Sequence, residues 1–326
     1  MKKKNTKPGQ TDNEVLKEIP LACIDETAAT EFMEKQRWGE IPACPHCGDT
    51  DVVKVMGEDG KRNKRYLWRC HGCKKQFTVR IGTVFEDSRI PLRIWCYAFW
   101  KACSSKKGIS ALQISRECSI TYKSALFLMH RIRYAMTEPK QKEKLQGTVE
   151  ADETYVGGKP RHHQTKIEGI KRSIGRGTKK TPVFAIVERN GNVRTKVMKK
   201  ITVETLKEEL IKNVELSSRL NTDDFPLYRN IGKPFDGGHG IVNHKIKEYT
   251  RGEDNTNTVE SFFALLKRGV YGTFHSVSKK HLHRYINEFA FRWNARKIDD
   301  GMRVQKAIRS ADGKRLMYKE PISKTA

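Results

Sequence analysis

The 326-residue chain contains no run of about 18 apolar residues, so nothing in it reads as a membrane-spanning helix. Its basic N-terminus, MKKKNTKPGQTDNE, has no apolar stretch behind it, which argues against a secretory signal. The expected location is therefore the cytoplasm, and residues 1–20 read as a disordered basic arm. No internal repeat is visible. Acidic residues are scarce: 38 Asp and Glu stand against 64 Lys and Arg, a formal charge of +26. So basic a chain takes a polyanion as its partner, and DNA or RNA is the commonest one. The hydrophobic content, 37%, is still enough for globular domains.

Neither cysteine motif is followed by histidine, since Gly48 follows Cys47 and Lys74 follows Cys73, and this excludes CxxCH haem attachment. Disulfides rarely persist in the cytosol. What remains for Cys44 and Cys47, in CPHCG, and for Cys70 and Cys73, in CHGC, is a metal. Two tight turns that each present two thiolates form the tetrahedral sulfur set that structural zinc prefers. VVKVMG and KRYLWRC between the pairs, and QFTVR after them, have the composition of a three-stranded zinc ribbon. A packing helix over Asp25–Arg37 precedes it, so residues 21–88 read as short helix plus ribbon. Cys23, Cys96, Cys103 and Cys118 sit among apolar neighbours as core residues.

Residues 89–140 have helical periodicity. IPLRIWCYAFWKAC is an aromatic-rich amphipathic segment, and GISALQISRECSITYKSALFLMHRIRYAM reads as helix, turn, helix. The second helix, from Tyr122, would carry Arg131 and Arg133 towards DNA as a recognition helix does; a plain helical hairpin has the same pattern.

Past a charged break at Glu138–Leu145 the pattern becomes α/β. Thr148–Ala151 reads as a strand with Asp152 at its end and Glu150 and Glu153 alongside. RHHQTKIEGIKRSIGRGTKK is a basic loop suited to phosphates, PVFAIVERNGNVRTKVM a hairpin turning at Asn190-Gly191, and TVETLKEELIKNV a helix capped by Thr202. A more polar strand ends at Asp223 and Asp224. Then comes NTNTVESFFALLKRGVYGTFH. As a helix from Thr256 it gathers Val259, Phe262, Phe263 and Leu266 on one side, and Asn257, Glu260, Ala264 and Lys267 on another. Acids at two strand ends and on a later helix can converge at a sheet edge and hold two magnesium ions about 4 Å apart. Magnesium is a hard ion that takes oxygen ligands and keeps waters for the substrate.

CPHCG, VRIGTVFEDSRIPLRIW, VEADETYVGGK, VNHKIKEYTRGEDNTNTVESFFALLKRGVYGTFHSVSKKHLHRYINEF and FRWNAR together resemble the DDE transposases of bacterial insertion sequences, of the zinc-ribbon-bearing ISXO type. The resemblance runs from about Asp25 to Arg296. It implies an α/β fold in which a ribonuclease H-like mixed-sheet catalytic domain, residues 146–300, follows the ribbon and a helix-turn-helix-like region, with residues 301–326 as a C-terminal tail. It also implies Asp152, Asp223 and Glu260 as catalytic acids holding two Mg2+ or Mn2+ ions, and Lys267 as a contact to the DNA end. Asp224 and Asp236 remain alternatives for the second acid, and Asn257 for the third. The implied partners are terminal inverted repeats and target DNA, with at least a dimer pairing two ends. A non-catalytic DNA-binding derivative and a metal-dependent nuclease are the alternatives.

Overall fold

Residues 13–139, 143–158, 180–228, 230–242 and 250–317 are described by the computed structural model of the chain. The first twelve residues of the expected arm, the basic loop up to residue 179 and part of the VNHKIKEYTRG phrase lie outside them. The chain divides into two compact units, residues 1–137 with 295–326, and residues 138–294. No helix among the described residues is long and apolar enough to cross a membrane.

The first unit opens with α1 (Glu14–Ala22), capped by the Asn13 side chain. The sequence reading extends a disordered arm to residue 20, but Val15, Ile19 and Ala22 line one face and are buried, which is sufficient reason for the segment to fold. In α2 (Glu26–Trp38), Asp25 is the N-cap and Phe32 and Met33 face inward, as their spacing predicts. The ribbon strands β1 (Val52–Lys54), β2 (Trp68–Cys70) and β3 (Gln76–Phe77) form an antiparallel sheet in that order. Buried Glu34 of α2 accepts from Trp68 Nε1 at 2.7 Å and from the Arg62 guanidinium, tying helix to ribbon. The helices α3 (Leu92–Ser104), α4 (Ala111–Glu117) and α5 (Tyr122–Ala135) follow, with Ser110 and Thr121 capping the last two. A further helix, Asp300–Arg309, forms where the sequence reading has a tail. Its Val304, Ala307 and Ile308 are buried, and it packs on α1, α2 and α3.

The second unit is built on a five-stranded sheet of β4 (Thr148–Val156), β5 (Thr181–Glu188), β6 (Val193–Val197), β7 (Arg219–Asp223) and β8 (His239–Val242). The first three strands are an antiparallel meander, and β7 and β8 run parallel to β4. Their order, β6-β5-β4-β7-β8, is the 3-2-1-4-5 order of a ribonuclease H-like sheet. Between β5 and β6 the chain turns at Asn190, which takes a φ of 63°. Helix α6 (Val203–Asn213), closed by a Thr202–Thr205 capping box, covers one face over Val149, Ala151, Phe184 and Ile186. After a short hairpin, β9 (Thr250–Arg251) and β10 (Asp254–Asn255), helices α7 (Asn257–Gly269) and α8 (Leu282–Asn294) cover the other. There Val259, Phe262, Leu266, Ile286 and Phe289 pack on Val183, Ala185 and Val187. Each of the larger side chains, once buried, contributes about 1.5–3 kcal/mol.

The polar sequence of β7 does not keep it from the sheet centre. Asn221 and Thr222 are fully buried, and both are hydrogen-bonded: Asn221 Nδ2 donates to the Asn255 carbonyl at 3.3 Å, and Thr222 Oγ1 lies 2.9 Å from His239 Nε2. Arg219 forks onto Asp254 through two 2.9 Å bonds.

Candidate active site and metal centre

The parallel ladder between β4 and β7 runs Val149 to Leu220, Glu150 to Asn221 and Ala151 to Thr222. The next position brings Asp152 beside Asp223. Asp152 is therefore not at the end of its strand, as the sequence reading has it, because pairing with β5 carries β4 on to Val156. It stands where the parallel neighbour stops, which opens one edge of a continuing strand. Side chains alternate along a strand, so Glu150, Asp152, Asn221 and Asp223 share the face on which α7 packs. Asp224 lies one residue past the end of β7.

On α7 the sorting expected from periodicity holds. Val259, Phe262, Phe263 and Leu266 are buried, while Asn257, Glu260, Ala264 and Lys267 are exposed. Burial, then the charges of Glu153, Asp223 and Glu260, push the Asp152 carboxyl well above the ordinary aspartate value. The Glu153 backbone N–H, 2.7 Å from Asp152 Oδ1, works in the opposite direction. Glu260 Oε1 accepts from Thr256 Oγ1 at 3.2 Å. Glu153 points to the other side of the sheet, where Tyr228 Oη donates to its Oε2 at 2.7 Å.

The cysteines form a tighter group. All four ligand sulfurs lie within 4.8 Å of one another, and no other such cluster of metal-binding side chains occurs among the described residues. Cys44 Sγ is 3.7 Å from Cys73 Sγ, and Cys47 Sγ is 3.6 Å from Cys70 Sγ. A Zn–S bond of about 2.3 Å puts tetrahedral sulfurs about 3.8 Å apart, so the cage has the size of that ion. The Lys75 backbone N–H pulls the Cys73 thiol down to about 7, towards the thiolate that a metal needs. Trp38, Trp68 and Phe77 pack beside the cage.

Two residues expected to face DNA do not. Arg131 and Arg133 are buried. The Arg131 guanidinium donates to the carbonyls of Val84 (3.0 Å), Glu86 (2.7 Å) and Leu316 (3.1 Å), and lies over the Phe127 ring. The C-terminal half of α5 is enclosed on every side, so its arginines serve the unit's interior; Tyr122 and Lys123 at its N-terminus are exposed. Lys267 is exposed two helical turns beyond Glu260.

Glu150, Arg189, Tyr228 and Thr256 stand outside the residues that the sequence marks for a role. A glutamate alternating with an aspartate in an apolar strand is the one signal that pointed to any of them.

Residues 144–294 match the ISXO2-like transposase domain, and residues 24–76 match the transposase zinc-ribbon domain. An uncharacterized protein in transposable element ISH50 of Halobacterium salinarum is 28% identical over 277 residues, covering 82% of this chain and 91% of that protein. Among solved structures, a Mos1 transposase paired-end complex with left transposon end aligns at 12% identity over 62% of this chain and 69% of that one, with a TM-score of 0.28. The Mos1 strand transfer complex aligns at 12% identity over 64% and 74%, with a TM-score of 0.27. Superpositions this loose add nothing to the strand order, on which the fold assignment rests.

Proposed function

We propose that this chain, which belongs to the zinc-ribbon-bearing, ISXO2-like transposases of insertion sequences, binds the terminal inverted repeats of its element, cleaves DNA strands there and joins them to target DNA. One observation carries the reading: the β4–β7 ladder brings Asp152 beside Asp223 on the sheet face covered by the helix that bears Glu260, close enough for the charges of Asp223 and Glu260 to raise the Asp152 carboxyl. A fold does not gather like charges for stability.

The donor set is all oxygen, which fits a hard divalent cation, and Asp152, Asp223 and Glu260 would hold two Mg2+ or Mn2+ ions. When bound, such ions activate the attacking water or 3′-hydroxyl and stabilise the leaving oxygen. The protein's own part is positional. Strand pairing fixes Asp152 against Asp223, packing of the Phe262 stripe holds α7 on the sheet, and Thr256 orients the Glu260 carboxylate. Lys267 on the same exposed face supplies a cation for the phosphates of the DNA end. The ribbon takes one structural zinc on Cys44, Cys47, Cys70 and Cys73. The acting form is at least a dimer on DNA, so that two ends are brought together.

The test is to incubate the full chain with Mg2+ and DNA carrying the repeats that flank its gene, then to sequence any joints. Joints between repeat ends and new DNA support the reading. Cut ends without joints would make the protein a metal-dependent nuclease. Binding without cutting would make it a non-catalytic derivative.

A further inference from the structure

Glu150 is an unusual residue for the middle of a β-strand. It is fully buried, two positions before Asp152 on the same sheet face. Its Oε2 accepts from the backbone N–H groups of Thr258 (2.7 Å) and Val259 (3.0 Å), in the first turn of α7. Its Oε1 accepts from Thr258 Oγ1 at 2.8 Å and from Arg189 Nε at 3.1 Å. The carboxylate thus has its full complement of partners.

The cap on α7 therefore comes from the sheet. Thr256, at the N-cap position, gives its own helix no side-chain cap, and its hydroxyl donates instead to Glu260. Arg189 completes the arrangement. Besides pairing with Glu150, it donates to the carbonyls of Glu253 (3.1 Å) and Asn255 (3.4 Å), in the hairpin that leads into α7. One ion pair, buried at its glutamate end, so ties three things together: the strand that carries Asp152, the hairpin before the helix, and the first turn of the helix that carries Glu260.

We propose that Glu150 is a positioning residue. Through α7 it sets where Glu260 stands relative to Asp152, and so how readily the acids can share a cation. This rests on the reading of Asp152, Asp223 and Glu260 as the catalytic set. A charged cap suits the task better than a local Ser or Thr. Charge-assisted bonds to helix N–H groups are short and directional, and a strand anchored in a sheet is a rigid support.

The test uses the full chain with its zinc. In Glu150→Gln the side chain keeps its shape, but whichever way the amide turns, its NH2 meets donors. Mn2+ affinity of the DNA-free protein, read by electron paramagnetic resonance, should fall at least tenfold. The metal concentration for half-maximal cleavage should rise by a similar factor, with the rate at saturating metal recovering to within about threefold of wild type. Arg189→Lys keeps the charge and loses the fork to the hairpin carbonyls; it should move both midpoints the same way, by about threefold or more, and it stands in if Glu150→Gln fails to fold. Leu210→Ala, a cavity under α6 on the opposite face, is the destabilised control and should leave both midpoints where they are. If Glu150→Gln and Arg189→Lys lower the Tm as Leu210→Ala does but bind Mn2+ within twofold of wild type, Glu150 is a structural cap and the proposal is overturned. If wild type cuts no DNA, the catalytic reading fails by itself, and Mn2+ binding still decides the role of Glu150.

Discussion

Replacing Cys70 by serine should dismantle the ribbon and leave the sheet unit folded. Cys70 is fully buried, 3.6 Å from Cys47 Sγ in a cage whose spacing matches tetrahedral Zn–S geometry. Around it, Cys44, Trp68 and Phe77 are the other members of the buried cluster, with Trp38, Val52, Cys73 and Ile81 against them. So small a cluster does not support a fold by itself. A structural zinc on such a site contributes on the order of 10–16 kcal/mol, as much as the whole net stability of an ordinary domain. Serine keeps the volume but is a poor ligand for zinc, so most of that contribution goes. Wild type purified without chelator should carry about one zinc per chain by elemental analysis, and Cys70→Ser well under half of that. The edge-to-face contact of Trp38 with Trp68, with ring centres 5.8 Å apart, should open, giving a red-shifted tryptophan emission. The sheet unit should keep its own melting transition, and specific DNA binding should weaken. Wild type free of zinc, or a Cys70→Ser protein with full zinc and unchanged emission, would refute the reasoning.

Asp152→Asn, Asp223→Asn and Glu260→Gln should each lower strand cleavage by about 10³-fold or more in a gel assay while DNA binding persists; Asp224→Asn, one residue past the end of β7, should stay near wild type. Because the folded-state value of Asp152 is raised, its contribution to stability is present below its unfolded value of about 3.9 and is lost as pH rises through the folded value. Without added divalent ions, Asp152→Asn should therefore melt higher than wild type above about pH 4, with the gap closing in acid; equal Tm values at neutral pH would contradict it. Arg131→Ala leaves the carbonyls of Val84, Glu86 and Leu316 without this donor and should cost the first unit about 2–4 kcal/mol in urea unfolding. Lys267→Ala, at an exposed site, should leave Tm within about a degree or two and weaken DNA binding with a shallower salt dependence.

Local spacing alone determined a good part of this protein. The cysteine pairs name their ligands because a CxxC turn puts two thiolates on one side whatever surrounds it. The helix 257–269 sorted its buried and exposed faces correctly because both follow from 3.6 residues per turn. Thr202 and the Asn190-Gly191 turn acted as read, since caps and turns are satisfied within a few residues. Other features depended on partners distant in the chain. Asp152 lies mid-strand because β5 outlasts β7 beside it, a difference between two pairings that no single segment records. A strand as polar as 219–223 sits at the sheet centre because Asn255, His239 and Asp254 reach it from later elements. Arg131 and Arg133 have the look of a nucleic-acid surface, yet carbonyls at 84–86 and 316 draw Arg131 inward and packing encloses Arg133. Residues 300–309 read as tail until α1 and α3 provide a surface for Val304 and Ile308. The link from Glu150 to Thr258 spans more than a hundred residues. Periodicity shows which side of an element is buried, but only the tertiary structure decides which charge that side meets.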